Sequence, residues 1–463
     1  MEQFKSYITE EKDEPYKIVC FYHTGDSSRD VLKDDHLGMM DTMNKAAKSS
    51  GIKIYYVDYN GVFLSNKNGK LSINYFPIDD DKGFVLDSST VVFVRGTPDK
   101  DSSLDLISEL ERLGVCCVNS RTSIAIASDK YRSYIRLKDY GLTQPKTVLI
   151  PNEDSVEKSF ENLDTKFPII LKTLRGSKGV GVLFVESERA LNSVVQLIFK
   201  IDPQADLLIQ EYIKTDFDVR VMVLDGKIVA TMQRDVLEGD FRSNYSQGAK
   251  VKKYNLSELE TEQSLLAAKS IGGILSAVDF IPSNDPKNKS PYMLEVNSSP
   301  GTEGIEEASG KNIVKEILEH FNNPKMRYTV PTECGWEEVV SIKPFGNLVA
   351  KFDTGNAIYP VLHAEDIEIK GKKITFTHEE KTITTNLIDK YVSVTGGGED
   401  ERPVVELEFE FAGTNYGKVK IGLDDRTRMN TAVLMNRKLM NKLNVMINPQ
   451  KKYVITTPFT LDK

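Results

Sequence analysis

Over residues 17–118, short apolar β-forming runs take turns with helical stripes, which limits the start of the chain to a small parallel α/β unit. KIVCFYH (17–23) reads as a strand, and over 34–50 Leu37, Met40, Met43 and Ala47 share one helical face. KIYYVD (53–58) is the next strand, a polar insert follows, and TVVFV (90–94) is a third. Residues 104–113 read as a helix and 115–118 as a strand again. The unit carries no GxGxxG and no GxxxxGK[ST], which removes a dinucleotide fingerprint and a Walker loop.

The next stretch mixes helices with antiparallel signals. Residues 123–140 read as a helix and 147–150 as a strand; 167–186 then read as strand, glycine-rich turn, strand (PIILKT, LRGSKGVG, VLFVE). Ser187 is placed to cap a helix with the stripe Leu191, Val194, Val195 and Ile198. Residues 207–212 and 219–232 are β-rich, the second broken by the hairpin signal Asp225-Gly226. Ser257 and Glu260 form a capping box for a helix expected to run to about residue 275. NNPKMRYTVPTEC (322–334) reads as a linker, and beyond it short strands (348–352, 366–370, 373–377, 404–411, 418–421) alternate with turns. The expected domains are therefore 1–122, 123–321 and 335–463, the last mainly β, with 322–334 joining them.

Composition narrows the function. At 463 residues, 40% hydrophobic and 28% charged, this is a soluble multidomain chain, and a net charge of −8 argues against a nucleic-acid partner. It has no run of about 18 apolar residues, so no membrane span is expected. The polar start MEQFKSYITEEKDEP is unlike a signal peptide, and four cysteines without CxxC spacing fit a reducing, cytoplasmic setting. Five histidines in no HxxH or HExxH pair leave a conventional zinc site unwritten.

The chemistry concentrates near YMLEVNSSPG (292–301). In a strand, Glu295 and Asn297 point the same way, and Asp279, a short hairpin upstream in AVDF, is able to bring a third oxygen. Two carboxylates and an amide oxygen suit Mg2+, with Mn2+ as a substitute, leaving part of the metal's shell for nucleotide phosphates. Any two of these residues alone describe a solvated acidic strand; the upstream groups make ATP the expected partner. Lys172 ends an apolar strand and Lys130 lies in SDKYRS, two cations for a triphosphate. Gly176, Gly179 and Gly181, around Ser177, let backbone N–H groups approach phosphate oxygens. Gln210, Glu211, Tyr212, Ile213 and Lys214 (QEYIK) have the form of an adenine clamp, and Arg220, Arg234 and EGDFRSN (238–244) add cations for a polyanionic intermediate.

VFVRGT, NSRTSIAIASDKYRS, PIILKTLRGSKGVGV, LIQEYIK, DVRVMVLDGKIVA, EGDFRSN, AVDF and LEVNSSPGTEGIE together resemble, in order and spacing, the RimK-type ATP-grasp ligases. The resemblance covers about 18–321 and implies an α/β pre-ATP-grasp part and two α+β lobes clasping ATP. It also implies ATP-dependent joining of an amino acid, usually glutamate, to an acceptor carboxylate on a peptide, a protein C-terminus or a small molecule. By that resemblance Lys130, Lys172, Glu211, Ile213, Lys214 and Asp218 contact ATP, and Asp279, Glu295 and Asn297 hold Mg2+. Arg220, Arg234, Arg242 and Asn244 face the acyl phosphate and the amino acid.

Asp353-Thr354-Gly355 follows the apolar run LVAKF, the way aspartic peptidases present a catalytic carboxylate. Such enzymes need two aspartates sharing a proton, and the chain has one DTG, so a dyad requires a homodimer. With GWEEVVSI, LHAEDIEI, ERPVVELEFEFAG, IGLDDRTRM and AVLMNRKLM, the region 335–456 resembles the mainly-β retropepsin-like RimB-type domain, also called an ATP-dependent zinc protease, which implies trimming of the added tail. Two positions depart from that family: Asn356 follows DTG where Ala or Ser is usual, and Leu434-Met435-Asn436-Arg437 lacks the usual glycine. The whole is expected to be a bifunctional ligase with catalytic Asp353 in its second domain, assembled as a homodimer or homotetramer. Two alternatives stay open: a peptidase whose ATP-grasp part senses nucleotide, and a C-terminal domain that only binds or dimerises.

Overall fold

The alternation at the start of the chain builds a four-stranded parallel sheet. Its strands are β1 (Lys17–Tyr22), β2 (Ile54–Asp58), β5 (Thr90–Val94) and β6 (Cys116–Val118), in the order β2-β1-β5-β6. The polar insert after β2 contains an antiparallel hairpin, β3 (Val62–Lys67) and β4 (Lys70–Tyr75), which sequence reading had not separated from the insert. Helix α1 (Asp34–Ser49) covers one face of the sheet, and α2 (Asp101–Arg112) packs Leu106, Ile107 and Leu110 on Val92, Val94 and Cys117 of the other. The computed structural model describes residues 17–22, 34–58, 62–67, 70–75, 89–96, 101–174, 181–237, 248–285, 289–395 and 398–457.

The helix expected over 123–140 is two helices, α3 (Arg121–Ala127) and α4 (Lys130–Asp139). Asp129 interrupts them: its carboxylate accepts from the N–H groups of Tyr131 and Arg132, so the chain restarts as a capped helix with Lys130 at its first position. A four-stranded antiparallel sheet follows, from β7 (Thr147–Ile150), β8 (Ile169–Thr173), β9 (Val182–Val185) and β10 (Leu207–Glu211), in the order β7-β10-β8-β9. Helices α5 (Val156–Leu163) and α6 (Glu188–Ile201) cover it, burying Leu191, Val195 and Phe199 against Ile169, Leu171 and Ile209. Gly181 closes the β8–β9 turn at φ +80°, where any Cβ would lie 2.2 Å from Thr173 Oγ1.

A five-stranded antiparallel sheet carries β11 (Phe217–Leu224), β12 (Lys227–Asp235), β13 (Val251–Lys252), β14 (Leu275–Ile281) and β15 (Tyr292–Asn297), in the order β13-β12-β11-β14-β15. Asp225 and Gly226 both take positive φ in the β11–β12 turn. Helix α7 (Glu258–Ser270) begins in the expected capping box but ends before Gly272 and Gly273, and Leu275, expected in the helix, opens β14. Gly272 has φ +68°, which stops the helix. Helices α8 (Glu303–Ser309) and α9 (Ile313–Asn322) follow, with Phe321 meeting Phe93 edge to face at 5.4 Å.

The chain divides into two units, Met1–Thr329 and Val330–Lys463. The boundary falls within 322–334, where Arg327 donates to Phe321 O and Ser89 O in the first unit and β16 (Thr332–Gly335) joins a sheet of the second. The second unit is mainly β. Strands β17 (Glu337–Ile342), β18 (Gly346–Phe352) and β19 (Val361–His363) precede a small sheet of β20 (Glu365–Lys370), β21 (Lys373–His378) and β22 (Lys381–Asn386). Then come β23 (Asp389–Thr395), β24 (Gly398–Phe411), β25 (Thr414–Asp424), β26 (Val433–Met435), α10 (Arg437–Leu443) and β27 (Val445–Asn448), which pairs in parallel with β16. The seven-stranded order β17-β18-β26-β19-β25-β24-β23 curls so that β17 also pairs with β24 around a core containing Phe376, Phe409 and Phe411.

Candidate functional site

Register places six polar side chains on one face of the five-stranded sheet. Asp218 pairs with Arg234, Arg220 with Asp279, Asp279 with Glu295 and Ala277 with Asn297, and directly paired residues share a face. The residues between them, Val219, Val221, Val278 and Phe280, point the other way onto Ala267, Ala268 and Ile271. A register shift between Asp279 and Phe280 adds a bulge, so Met293 and Val296 both reach that core although they are three positions apart. The bulge is what lets Glu295 and Asn297 follow a buried Met293 and still face the polar side.

Four of these groups form a buried charge chain. Arg220 grips Asp279 with Nε at 2.7 Å and Nη2 at 2.6 Å, and Arg234 grips Asp218 with both contacts at 2.7 Å. Arg234 Nη2 also lies 3.1 Å from Asp279 Oδ2, linking the two pairs. Burial raises the Asp279 pKa, but the Arg220 and Arg234 guanidiniums outweigh it and hold the carboxyl below its ordinary range. Burial disfavours the Arg234 charge, and Asp279 and Asp218 more than restore it. Arg234, expected to face the intermediate, is 5% exposed and held between two carboxylates; Arg220, at 17%, is the more accessible of the two. Asp218, expected against ATP, spends both oxygens on Arg234.

Asn297 donates from Nδ2 to Glu295 Oε1 at 3.1 Å, an orientation that turns its amide oxygen away from the carboxylate. Two carboxylates and that oxygen on adjacent strands are a donor set suited to Mg2+. The antiparallel sheet of β7 to β10 brings Lys172 to them, and α4 brings Lys130. Lys172 Nζ donates to Gln210 Oε1 at 2.6 Å, and Gln210 Nε2 donates to Thr147 Oγ1 at 2.8 Å. Gln210, expected at the adenine, thus orients the lysine. Burial lowers the Lys172 pKa to about 8, with Glu295 raising it and Lys130 lowering it again. Lys130, Lys172 and Glu295 are therefore one electrostatic group, and Lys130 N donates to Leu174 O at 3.2 Å, fixing α4 to the end of β8.

Glu211 ends β10 and accepts from Lys146 N at 3.3 Å, while Tyr212 meets Phe184 edge to face at 5.0 Å. Ile213 is half-buried and Lys214 exposed in the connection between the two sheets. Gly176, Ser177 and Gly179 (within 175–180) and Arg242 and Asn244 (within 238–247) lie outside the described residues. Sequence reading missed Arg95 and Asn119, which reach this region from the first sheet; both follow strand ends, and nothing local marks their long-range contacts.

In the second unit, Asp353 follows β18, half-buried, and its Oδ1 accepts from Gly355 N at 2.8 Å. Strand β18 runs parallel to β26, and the two unusual asparagines bolt the loop down. Asn356 Nδ2 donates to Tyr359 O at 2.8 Å and Met435 O at 3.3 Å, and its carbonyl accepts from Arg437 N at 2.9 Å. Asn436, 2% exposed, caps α10 through Leu439 N and donates to Ile358 O at 2.9 Å. The Asn436 amide thus stands where the resemblance expects a glycine, and the Asn356 amide where it expects Ala or Ser. Among the described residues no second carboxylate bonds to Asp353.

His363, Glu365 and Asp425 form the one His/Cys/Asp/Glu group among the described residues with ligand atoms within 4.8 Å of one another. Arg426 N donates to His363 Nδ1 at 2.9 Å, which puts the ring proton on Nε2, 3.6 Å from Glu365 Oε1. A ligating histidine needs the opposite pattern, one nitrogen free and the other donating outward. The group is a hydrogen-bonded corner with no open ring nitrogen.

The description "RimK-like ATP-grasp domain" matches residues 127–321, and "Retropepsin-like aspartic endopeptidase RimB" matches 333–458. A "Probable alpha-L-glutamate ligase" of Shewanella loihica is 31% identical over 292 residues, 62% of this chain and 93% of its own length. "Probable alpha-L-glutamate ligase 2" of Pseudoalteromonas atlantica is 34% identical over 48% of this chain and 74% of its own. A Coxiella burnetii relative with the former name is 33% identical over 60% and 89%. With a relative this similar across nearly its whole length, and with the lysines, carboxylates and paired sheets that carry the likeness in place, the chain belongs to the RimK-type ATP-grasp family and carries a RimB-type retropepsin-like domain behind it.

Proposed function

We propose that this chain is an ADP-forming carboxylate–amine ligase that joins an amino acid, glutamate by analogy with its relatives, to the carboxylate of a peptide, protein tail or small acceptor. The observation that carries the reading is the shared sheet face of Asp279, Glu295 and Asn297 with Lys172 and Lys130 in electrostatic reach. Mg2+, when bound by the three oxygens, supplies charge neutralisation along the triphosphate. Lys172 and Lys130 bind the phosphates, and Gln210 keeps Lys172 aimed. The acceptor carboxylate oxygen attacks the γ-phosphorus, ADP leaves, and the amine of the incoming amino acid displaces phosphate from the acyl phosphate. Arg220 stabilises charge on the transferring group, and Arg234 holds Asp218 and Asp279 in place. Such transfer is governed by positioning and charge, so no side chain has to act as an acid of unusual strength.

The second unit fits trimming of the ligated tail by Asp353 when a second copy supplies the other carboxylate. The anchored loop around Asn356 and Asn436 supports that reading, because it presents Asp353 rigidly. The experiment for the ligase is ADP release with Mg2+ and ATP across a panel of amino acids and a glutamate-ended peptide, with product masses. A glutamate-dependent mass ladder supports it. ADP release indifferent to every amino acid and peptide supports a nucleotide-sensing role instead. For the second unit, Asp353→Asn should abolish cleavage of the ligated product, and unchanged cleavage would leave binding as its role.

A further inference from the structure

Strands β5 and β6 lie side by side and in parallel, and their carboxyl ends point Arg95, Gly96 and Asn119 at the start of β14 and the end of β15. Asn119 is fully buried and uses its whole hydrogen-bonding capacity there. Its Oδ1 accepts from Ile274 N at 2.7 Å and Leu275 N at 3.0 Å, and its Nδ2 donates to Leu275 O and Ser298 O, both at 2.6 Å. Gly96 N donates to Ser299 Oγ at 3.0 Å, and Arg95 Nη2 donates to Pro300 O at 2.9 Å. Three successive residues, 298, 299 and 300, are thus each held from the first sheet, directly after Asn297. Asn119 ties the first residue of β14, the strand of Asp279, to the residue after β15, the strand of Glu295 and Asn297.

We propose that Arg95 and Asn119 are positioning residues for the metal–nucleotide site: they clasp 298–300 and so fix the place of Asn297 beside Asp279 and Glu295. The inference rests on the ligase reading of that site. Both act through the backbone that carries Asn297. Groups that orient metal ligands from behind influence affinity by about 10- to 100-fold, which sets the size of the effect.

The test is Mn2+ binding to the full chain with ADP, followed by electron paramagnetic resonance, beside metal-free ADP binding and thermal melting. Arg95→Met keeps side-chain bulk and removes the bond to Pro300. Asn119→Asp keeps both acceptor bonds and removes both donor bonds. Each should weaken Mn2+ affinity about tenfold while metal-free ADP affinity stays at the wild-type level, and Arg95→Lys should recover part of the loss. Should Asn119→Asp fail to fold, Arg95→Met and Arg95→Lys carry the test alone. Folded variants with wild-type Mn2+ affinity, or with metal-free ADP binding lost in the same proportion, overturn the clasp and leave the ligase reading standing. A wild-type chain that takes up no Mn2+ with ADP overturns both.

Discussion

The polar face of the first unit and the Asp353 loop of the second handle charge in opposite ways. Asp218, Arg234, Asp279 and Arg220 sit at 17% exposure or less, and their two negative and two positive charges cancel within one sheet. Asp353 is 33% exposed in its side chain, with Lys351 at 3.8 Å, the Gly355 N–H on its Oδ1 and the Arg426 charge in electrostatic reach. Burial is tolerable only for charges that are paired and hydrogen-bonded, so the first site has its electrostatics written into its own strands. The second leaves its carboxylate half-exposed, with no two-pronged arginine partner among the described residues.

That contrast is breakable by substitution. The largest effect belongs to Glu295→Gln, which should reduce ATP turnover by about a thousandfold with the circular dichroism unchanged, because it removes charge only where the proposed metal and phosphate sites meet. Next, Asp279→Asn should destabilise the first unit by about 3–5 kcal/mol in urea titration, since it leaves Arg220 and Arg234 with an uncompensated buried charge. The matching Asp353→Asn should change stability by no more than about 0.5 kcal/mol. Equal costs at the two aspartates would erase the distinction. Asn436→Ala should cost about 1–2 kcal/mol in the second unit by removing a helix cap and the bond to Ile358 O.

The smallest effect is a pH dependence. Burial brings Lys172 down to about 8, so the free protein loses that cation as pH rises through about 8. Phosphate binding favours the charged form, so ADP affinity is highest below that pH and falls above it. Lys172→Arg should keep a flat affinity from about pH 7 to about 10, because arginine stays protonated there. A flat profile in the wild type would contradict the buried-lysine assignment.

Local signals in the sequence were read where the physics is local. Ser187, the Ser257–Glu260 box and the Asp225-Gly226 turn each do what their neighbours dictate. The break at Asp129 was hidden because the helical pattern continues across it, and only the carboxylate's turn toward Tyr131 and Arg132 divides the helix. The bulge beside Asp279 was equally invisible, since it exists only in the pairing of two strands. The side-chain types of the site were legible as a pattern, yet the division of labour was not. That Arg234 is enclosed by Asp218 and Asp279, that Gln210 holds Lys172, and that Asn119 crosses from residue 119 to 275 and 298 are all long-range facts. Asn356 and Asn436, which look like losses against the family pattern, become intelligible only once their amides are seen bonding the loop.

The central claim is that an acceptor carboxylate attacks ATP at this face. Its most direct test follows oxygen: a glutamyl-glutamate peptide carrying 18O in its carboxylates is incubated with ATP, Mg2+ and glutamate, and the released phosphate is weighed by mass spectrometry. Passage through an acyl phosphate predicts one 18O in each phosphate, in step with peptide elongation. ADP formation with unlabelled phosphate, or no glutamate-dependent ADP, would contradict it.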